Sequence, residues 1–86
     1  VSYRVEILPS AIKDFRKLPN NMVSRVTAAV LGLAEEPRPV GSRKLVNVHP
    51  ETWRIRLGDW RTLYHIDEEA KLVEVVHVFH RREAYR

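Results

Sequence analysis

Trp53-Arg54-Ile55-Arg56-Leu57 is where residue types and spacing first suggest chemistry. Successive side chains of a strand point to opposite faces. Read as a strand, the segment sends Trp53, Ile55 and Leu57 toward a core and Arg54 and Arg56 side by side toward the other face. Neighbouring cations with no acid between them repel, and a bridging phosphate removes that repulsion. Arg61 follows across Gly58-Asp59, and a hairpin there brings it near Arg56. Arg81 and Arg82 follow the last strand. Arg54, Arg56, Arg61 and Arg81 are therefore expected to share one exposed sheet face, with Arg43, Lys44 and Arg82 as further phosphate-binding cations. Guanidinium groups grip phosphate oxygens in pairs and stay charged. They suit RNA binding and the stabilisation of a phosphorane-like transition state. The plainer alternative is a solvated basic sheet face.

The four histidines divide by position. Histidine is the side chain that titrates near neutral pH, and His80, beside Arg81, is the first candidate for general acid–base chemistry. His65 is a weaker one. His77 reads as a buried or half-buried strand residue, and His49, in its Pro-flanked turn, as surface. Tyr85 lies in the basic tail, where an exposed aromatic can stack on an unpaired base. Phe15 and Phe79 read as core. Trp53, Trp60 and Tyr64 read as the core or rim of a sheet. Asp67-Glu68-Glu69 reads as a solvated turn. Neither the histidine spacing nor the carboxylate pattern suggests a metal site, and no Gly-rich phosphate loop is present.

These residues need elements to hold them. Tyr3 to Leu8 alternates with the period of a strand. Pro9-Ser10 ends it, and Ser10 is the expected N-cap of a helix carrying Ala11, Ile12, Phe15 and Leu18 on one face. Pro19-Asn20-Asn21 breaks that helix, and an Asn is expected to cap the next. The second helix carries a stripe of Met22, Val23, Val26, Ala29, Val30, Leu33 and Ala34, closed by Glu35-Glu36-Pro37. The short break predicts an antiparallel αα-hairpin. After a Pro- and Gly-containing loop come a short strand within 43–48, then strands over 52–57, 60–66 and 71–80, joined by tight turns. Such spacing predicts an antiparallel meander of three or four strands. The fold class is α+β, with the helices covering one sheet face and the other left free for chemistry.

The bulk numbers agree. Eighty-six residues make one domain, 1–86. A domain this small buries only roughly 60% of the surface its unfolded chain exposes, so a bound partner adds much to its stability. No cysteine is present, which excludes disulfides and thiolate metal sites. No apolar run approaches a membrane span, and the N-terminal residues carry no signal-peptide pattern. The expected compartment is the cytoplasm. Net charge is +4, and arginine supplies 11 of the 15 Lys and Arg residues. Such a balance points to a polyanionic partner.

The segment from Trp53 to Asp67, WRIRLGDWRTLYHID, resembles the RelE/ParE toxin superfamily. That family shows an aromatic, alternating basic and apolar residues, a short turn, Tyr or Trp followed by Arg, and a strand ending in Tyr-x-Ile-Asp. The ending His80-Arg81-Arg82-Glu83-Ala84-Tyr85-Arg86 resembles the tail of RelE-type members. The opening strand followed by Ala-x-x-Asp-Phe-x-x-Leu-Pro is also similar, so the resemblance covers essentially the whole chain.

The resemblance implies a RelE-like microbial RNase-type fold and the toxin half of a type II toxin–antitoxin pair. It implies an endoribonuclease that enters the ribosomal A site and cuts mRNA without metal or other cofactor. The ribose 2′-OH attacks the adjacent phosphate, leaving a cyclic phosphate and a 5′-OH. The implied partners are the ribosome, mRNA and a RelB-like antitoxin, with operator DNA met only through the toxin–antitoxin complex. Arg54 and Arg56 match the paired basic strand positions. Arg61 matches the arginine that stabilises the transition state, Arg81 the one at the leaving group, and Tyr85 the tyrosine that stacks on the substrate base. The best-known RelE members carry lysines at the first pair. Arginine, with a pKa above about 12, is a poor general base, which leaves His80 or Tyr85 as the expected base. The same resemblance admits a ParE-like gyrase inhibitor, and a binding-only module is a further alternative.

Overall fold

The computed structural model describes residues 2–85, with side chains through Glu83. Strand β1 (Arg4–Ile7) leads into helix α1 (Pro9–Phe15) and helix α2 (Asn20–Gly32). Strands β2 (Arg43–Lys44), β3 (Trp53–Leu57), β4 (Trp60–Asp67) and β5 (Leu72–His80) follow, and a 3-10 turn over Arg81–Tyr85 ends the order. The strands form one five-stranded sheet in the order β1-β5-β4-β3-β2. The meander β2 to β5 is antiparallel, as expected, while β1 adds to β5 in parallel.

Both helices pack on one face of the sheet. Ala11, Leu18, Met22, Val26, Val30 and Leu33 from the helical segment meet Ile55, Tyr64, Val73, Val75 and Val78 from the strands. Two stripe residues face outward instead: Val23 is 37% exposed and Ile12 42%. A helix turn has room for three or four core-facing positions per two turns, and Met22 and Ala11 take the inner places. Tyr64 is fully buried, and its hydroxyl donates to the Pro37 carbonyl at 2.7 Å. That bond fastens the Pro-rich loop to the core, and burial pushes the Tyr64 phenol up to about 12.

Both expected helix caps differ. Pro9 itself occupies the first helical turn, where its missing N–H costs nothing, and Leu8 is the N-cap. Ser10 instead donates to the Val76 carbonyl at 2.6 Å. For α2 the N-cap is Pro19, with no side-chain cap. Helix α2 ends at Gly32, before the expected Glu35-Glu36-Pro37 stop. The short strand within 43–48 is only Arg43–Lys44.

The register of β5 decides what the open face carries. Leu63 pairs with His77, but the next residue, Tyr64, pairs with Val75, so β5 holds one extra residue at Val76. Such a bulge inverts the inward–outward phase along the bulged strand. Val73 and Val75 point into the core on one side of it and Val78 on the other. His77 and Phe79 are thereby turned to the open face. Strict alternation would have turned them to the core, which is why Phe79 reads as core and His77 as buried or half-buried from the sequence.

Beyond Ile7, β1 no longer covers β5, and α1 takes over that edge. Leu8 N–H donates to the Val75 carbonyl, Ser10 reaches the Val76 carbonyl, and the Asp14 carboxylate accepts from Val78 N–H at 2.9 Å. Backbone groups of the bulge that would lack a ladder partner are satisfied by a helix.

Candidate nucleic-acid interface and active site

The open sheet face holds a concavity of about 360 Å³ lined by Leu45, Arg54, Arg56, Arg61, Leu63, Phe79 and Arg81. Each side chain is placed by alternation along its own strand. Arg54 and Arg56 come from β3, Arg61 and Leu63 from β4, and Phe79 from β5, with Arg81 just beyond its end. Gly58 adopts the left-handed φ of 58° that a tight hairpin turn requires. That turn sets Arg56 directly opposite Arg61, and Arg61 opposite Phe79. The structure therefore brings together the four arginines singled out from sequence, and adds an apolar floor of Leu63 and Phe79.

Among the described residues no carboxylate lines this concavity. Burial first, and then the charges of Arg56, Arg54 and Arg81, hold the Arg61 guanidinium below the ordinary arginine range. Arg61 anchors itself by donating to the Gly58 carbonyl at 2.9 Å and the Trp60 carbonyl at 3.2 Å. The Nε of Arg54 is buried with no hydrogen-bond partner among the described residues. Asp59 touches the cluster from its rim, 3.5 Å from Arg81 Nε. A crowd of guanidiniums in partly desolvated surroundings is a receptor for a dianionic or dispersed negative charge, as on a phosphate undergoing substitution.

The other expected site residues separate. Arg43 pairs with Arg54 and extends the basic face toward the sheet edge. Lys44 faces the opposite way, opposite Trp53, and approaches Glu51 at 3.8 Å. His80 also lies on the opposite face. It pairs with Trp60, meets that ring edge-on at 5.2 Å, and shares a separate concavity with Lys17, Pro19, Trp60, Arg82 and Glu83. His80 and Arg82 thus lie outside the arginine concavity, and His80 meets the cluster only at its rim, where Nε2 is 3.9 Å from Asp59, the carboxylate that also touches Arg81. The bulge is the physical reason, because it fixes Phe79 and Arg81 outward and His80 inward. His65 lies on the open face, with Nε2 3.2 Å from the Thr52 hydroxyl. That hydroxyl gives its one proton to the Pro50 carbonyl at 2.9 Å, so His65 Nε2 is the donor. The side chain of Tyr85 lies outside the described residues.

Sequence reasoning missed two features. Glu68 is not a free residue of a solvated turn. It bridges Arg38 at 2.7 Å and accepts from the Tyr3 hydroxyl at 2.6 Å, and the Tyr3 hydrogen bond, then Arg38, hold its carboxyl below the usual range. Arg38 in turn lies over the Trp53 ring at 5.0 Å. The second is His77, exposed on the open face and 3.1 Å from the Asp14 carboxylate through Nδ1. Only folding brings positions 14 and 77 together, so no local pattern signals that pair.

The family model described as the ParE toxin of the parDE type II toxin–antitoxin system matches residues 5–85. The toxin RelG of Mycobacterium tuberculosis is 35% identical over 85 residues, 98% of this chain and 97% of that protein. Toxin RelE of the same organism is 32% identical, over 98% of this chain and 87% of its own length. A chain in the crystal structure of the RelBE2 toxin–antitoxin complex of M. tuberculosis superposes with a TM-score of 0.81 at 31% identity, covering 94% of this chain and all of that one. Sheet order, helix placement and these similarities agree, and the chain belongs to the RelE/ParE superfamily as a RelE-like toxin of a type II toxin–antitoxin system.

Proposed function

We propose that this toxin is an endoribonuclease that cuts messenger RNA in the ribosomal A site and so stops translation. The observation that carries the reading is the convergence of Arg54, Arg56, Arg61 and Arg81 on one concavity that no carboxylate among the described residues lines. Arg54 and Arg56 hold the phosphate backbone of the bound strand. Arg61, pinned by two backbone carbonyls, faces the charge that grows on the phosphoryl oxygens as the 2′-oxygen attacks. Arg81 sits at the end of the cluster and neutralises the departing 5′-oxygen. Leu63 and Phe79 give a base or ribose an apolar surface, and Tyr85 stacks on a substrate base. The arginines supply charge, not proton abstraction, because guanidinium does not give up its proton at working pH.

The partner of this reading is a RelB-like antitoxin, which takes the basic face as its seat; the similar RelBE2 chain was solved in a toxin–antitoxin complex. Operator DNA is reached through that complex, and the site of action is the cytoplasm. Among the described residues no helix is long and apolar enough to cross a membrane.

Primer extension on mRNA bound to a translating ribosome tests the reading. Cuts inside the A-site codon by the wild type, lost with Arg81→Ala, are expected. A folded wild type that leaves mRNA whole but blocks DNA supercoiling by purified gyrase would favour the ParE-type target, which the family model's description keeps in view.

A further inference from the structure

The cleavage reaction needs a base for the 2′-hydroxyl proton, and none of the four arginines serves. Three of the four histidines are poorly placed. His80 faces the other side of the sheet, against Trp60. His65, held by Thr52 through Nε2, stands one step farther from Arg61 along β4 than Leu63 does, and its cross-strand neighbour is the acid Glu74. His49 belongs to the exposed loop at the far edge, beyond β2.

His77 differs on each count. The bulge turns it to the open face, where it pairs with Leu63, one of the residues lining the arginine concavity. On that face its next neighbour along β5 is Phe79, and Arg61 lies diagonally across. Diagonal neighbours of a sheet lie about 7–8 Å apart, within reach of long side chains. The imidazole is half exposed, while the Asp14 side chain behind it is mostly covered. Asp14 Oδ2 accepts from His77 Nδ1 at 3.1 Å and from Val78 N–H at 2.9 Å. A carboxylate fixed by a backbone N–H thus fixes the imidazole. The neutral ring carries its proton on Nδ1 and keeps the Nε2 lone pair free, with no partner for Nε2 among the described residues. A carboxylate that orients an imidazole through Nδ1 is a recurrent way of preparing a general base.

We propose that His77, oriented by Asp14, is the general base of this toxin; the inference rests on the RNA-cutting reading above. Nε2 takes the proton of the ribose 2′-hydroxyl. The 2′-oxygen forms its bond to phosphorus as the bond from phosphorus to the 5′-oxygen breaks. The 5′-oxygen leaves with the bonding pair beside Arg81 and takes a proton from solvent. The imidazolium then returns its proton to water. The charged and titratable groups on the ring's side are Asp14 from α1, Glu74 on the same face of β5 beyond the bulge and, on β4, Arg61 and His65 on either side of Leu63.

Single-turnover cleavage of ribosome-bound mRNA between about pH 6 and 8, the range in which an imidazole changes charge, tests the proposal. The wild-type rate is expected to climb with pH and level off. His77→Ala should lose that dependence and slow by about 10²–10⁴-fold, the usual share of a general base, with added imidazole restoring part of the rate. His77→Gln serves as a second variant, and antitoxin binding reports that each variant is folded. Arg81→Ala should be slow yet keep the pH dependence. A folded His77→Ala or His77→Gln that cuts at the wild-type rate with an unchanged pH profile overturns the assignment and leaves the nuclease reading intact. A wild type that cuts nothing overturns both.

Discussion

Arg56 stands directly opposite Arg61 across the β3–β4 hairpin, and no acid among the described residues lines the concavity they share. Like charges in facing strand positions destabilise a sheet by roughly 0.2–1 kcal/mol. A fold that keeps this pair gives up stability for a concentrated positive field. Arg56→Thr is therefore expected to raise the urea midpoint of unfolding modestly and to weaken mRNA cleavage. Unfolding curves and cleavage rates on the same protein sample check it. A variant less stable than the wild type would show that the two guanidiniums do not strain each other.

Transition-state stabilisation should fall on Arg61 and Arg81. Loss of one preorganised donor costs about 10²–10³-fold in rate, so Arg61→Ala and Arg81→Ala should each slow single-turnover cleavage by that order while still binding antitoxin. Arg54→Ala should instead weaken RNA binding and flatten its salt dependence, because fewer counterions are released. Binding titrations over a range of salt concentrations separate the two effects.

Tyr64 supplies a pH signature of the fold. Its hydroxyl is buried against the Pro37 carbonyl, and its phenol is pushed up to about 12 from an ordinary 10 by burial. A pKa raised by folding gives stability that is complete below the unfolded value and is lost as pH rises through the folded one. Stability should therefore fall between about pH 10 and pH 12. Tyr64→Phe should lose that component of the alkaline decline. It leaves the Pro37 carbonyl unpaired, so it should also be less stable near neutrality by about 1–3 kcal/mol. Denaturant titrations at neutral and alkaline pH measure both.

Val30 is 2% exposed in the centre of the α2 stripe. Val30→Asp places an unpaired charge in the core, a cost of several kcal/mol, and loss of cooperative unfolding is expected by circular dichroism. Val23→Asp, on the outward side of the same helix, should fold normally.

Much of this molecule was written in its sequence. The 3.6-residue stripe around Met22, Val26 and Val30 placed the second helix. The alternation of Trp53-Arg54-Ile55-Arg56-Leu57 placed two arginines outward. Gly58-Asp59 between two strands set the hairpin that faces Arg56 with Arg61. These are local signals, because side-chain direction in a helix or strand follows from backbone geometry alone. The partner of β1 and the phase of β5 were not local. An extra residue at Val76 leaves no mark in the run Leu72–His80, since every residue in it suits a strand. The bulge is set where β1 ends and α1 begins to cover the edge, with Ser10 and Asp14 satisfying the backbone groups that β1 no longer reaches. That single register step turned Phe79 and His77 to the open face and His80 away from it. Sequence determined which residues carry the charge. Tertiary structure decided that His77 shares their face and His80 does not, because a one-residue shift in a strand exchanges its faces.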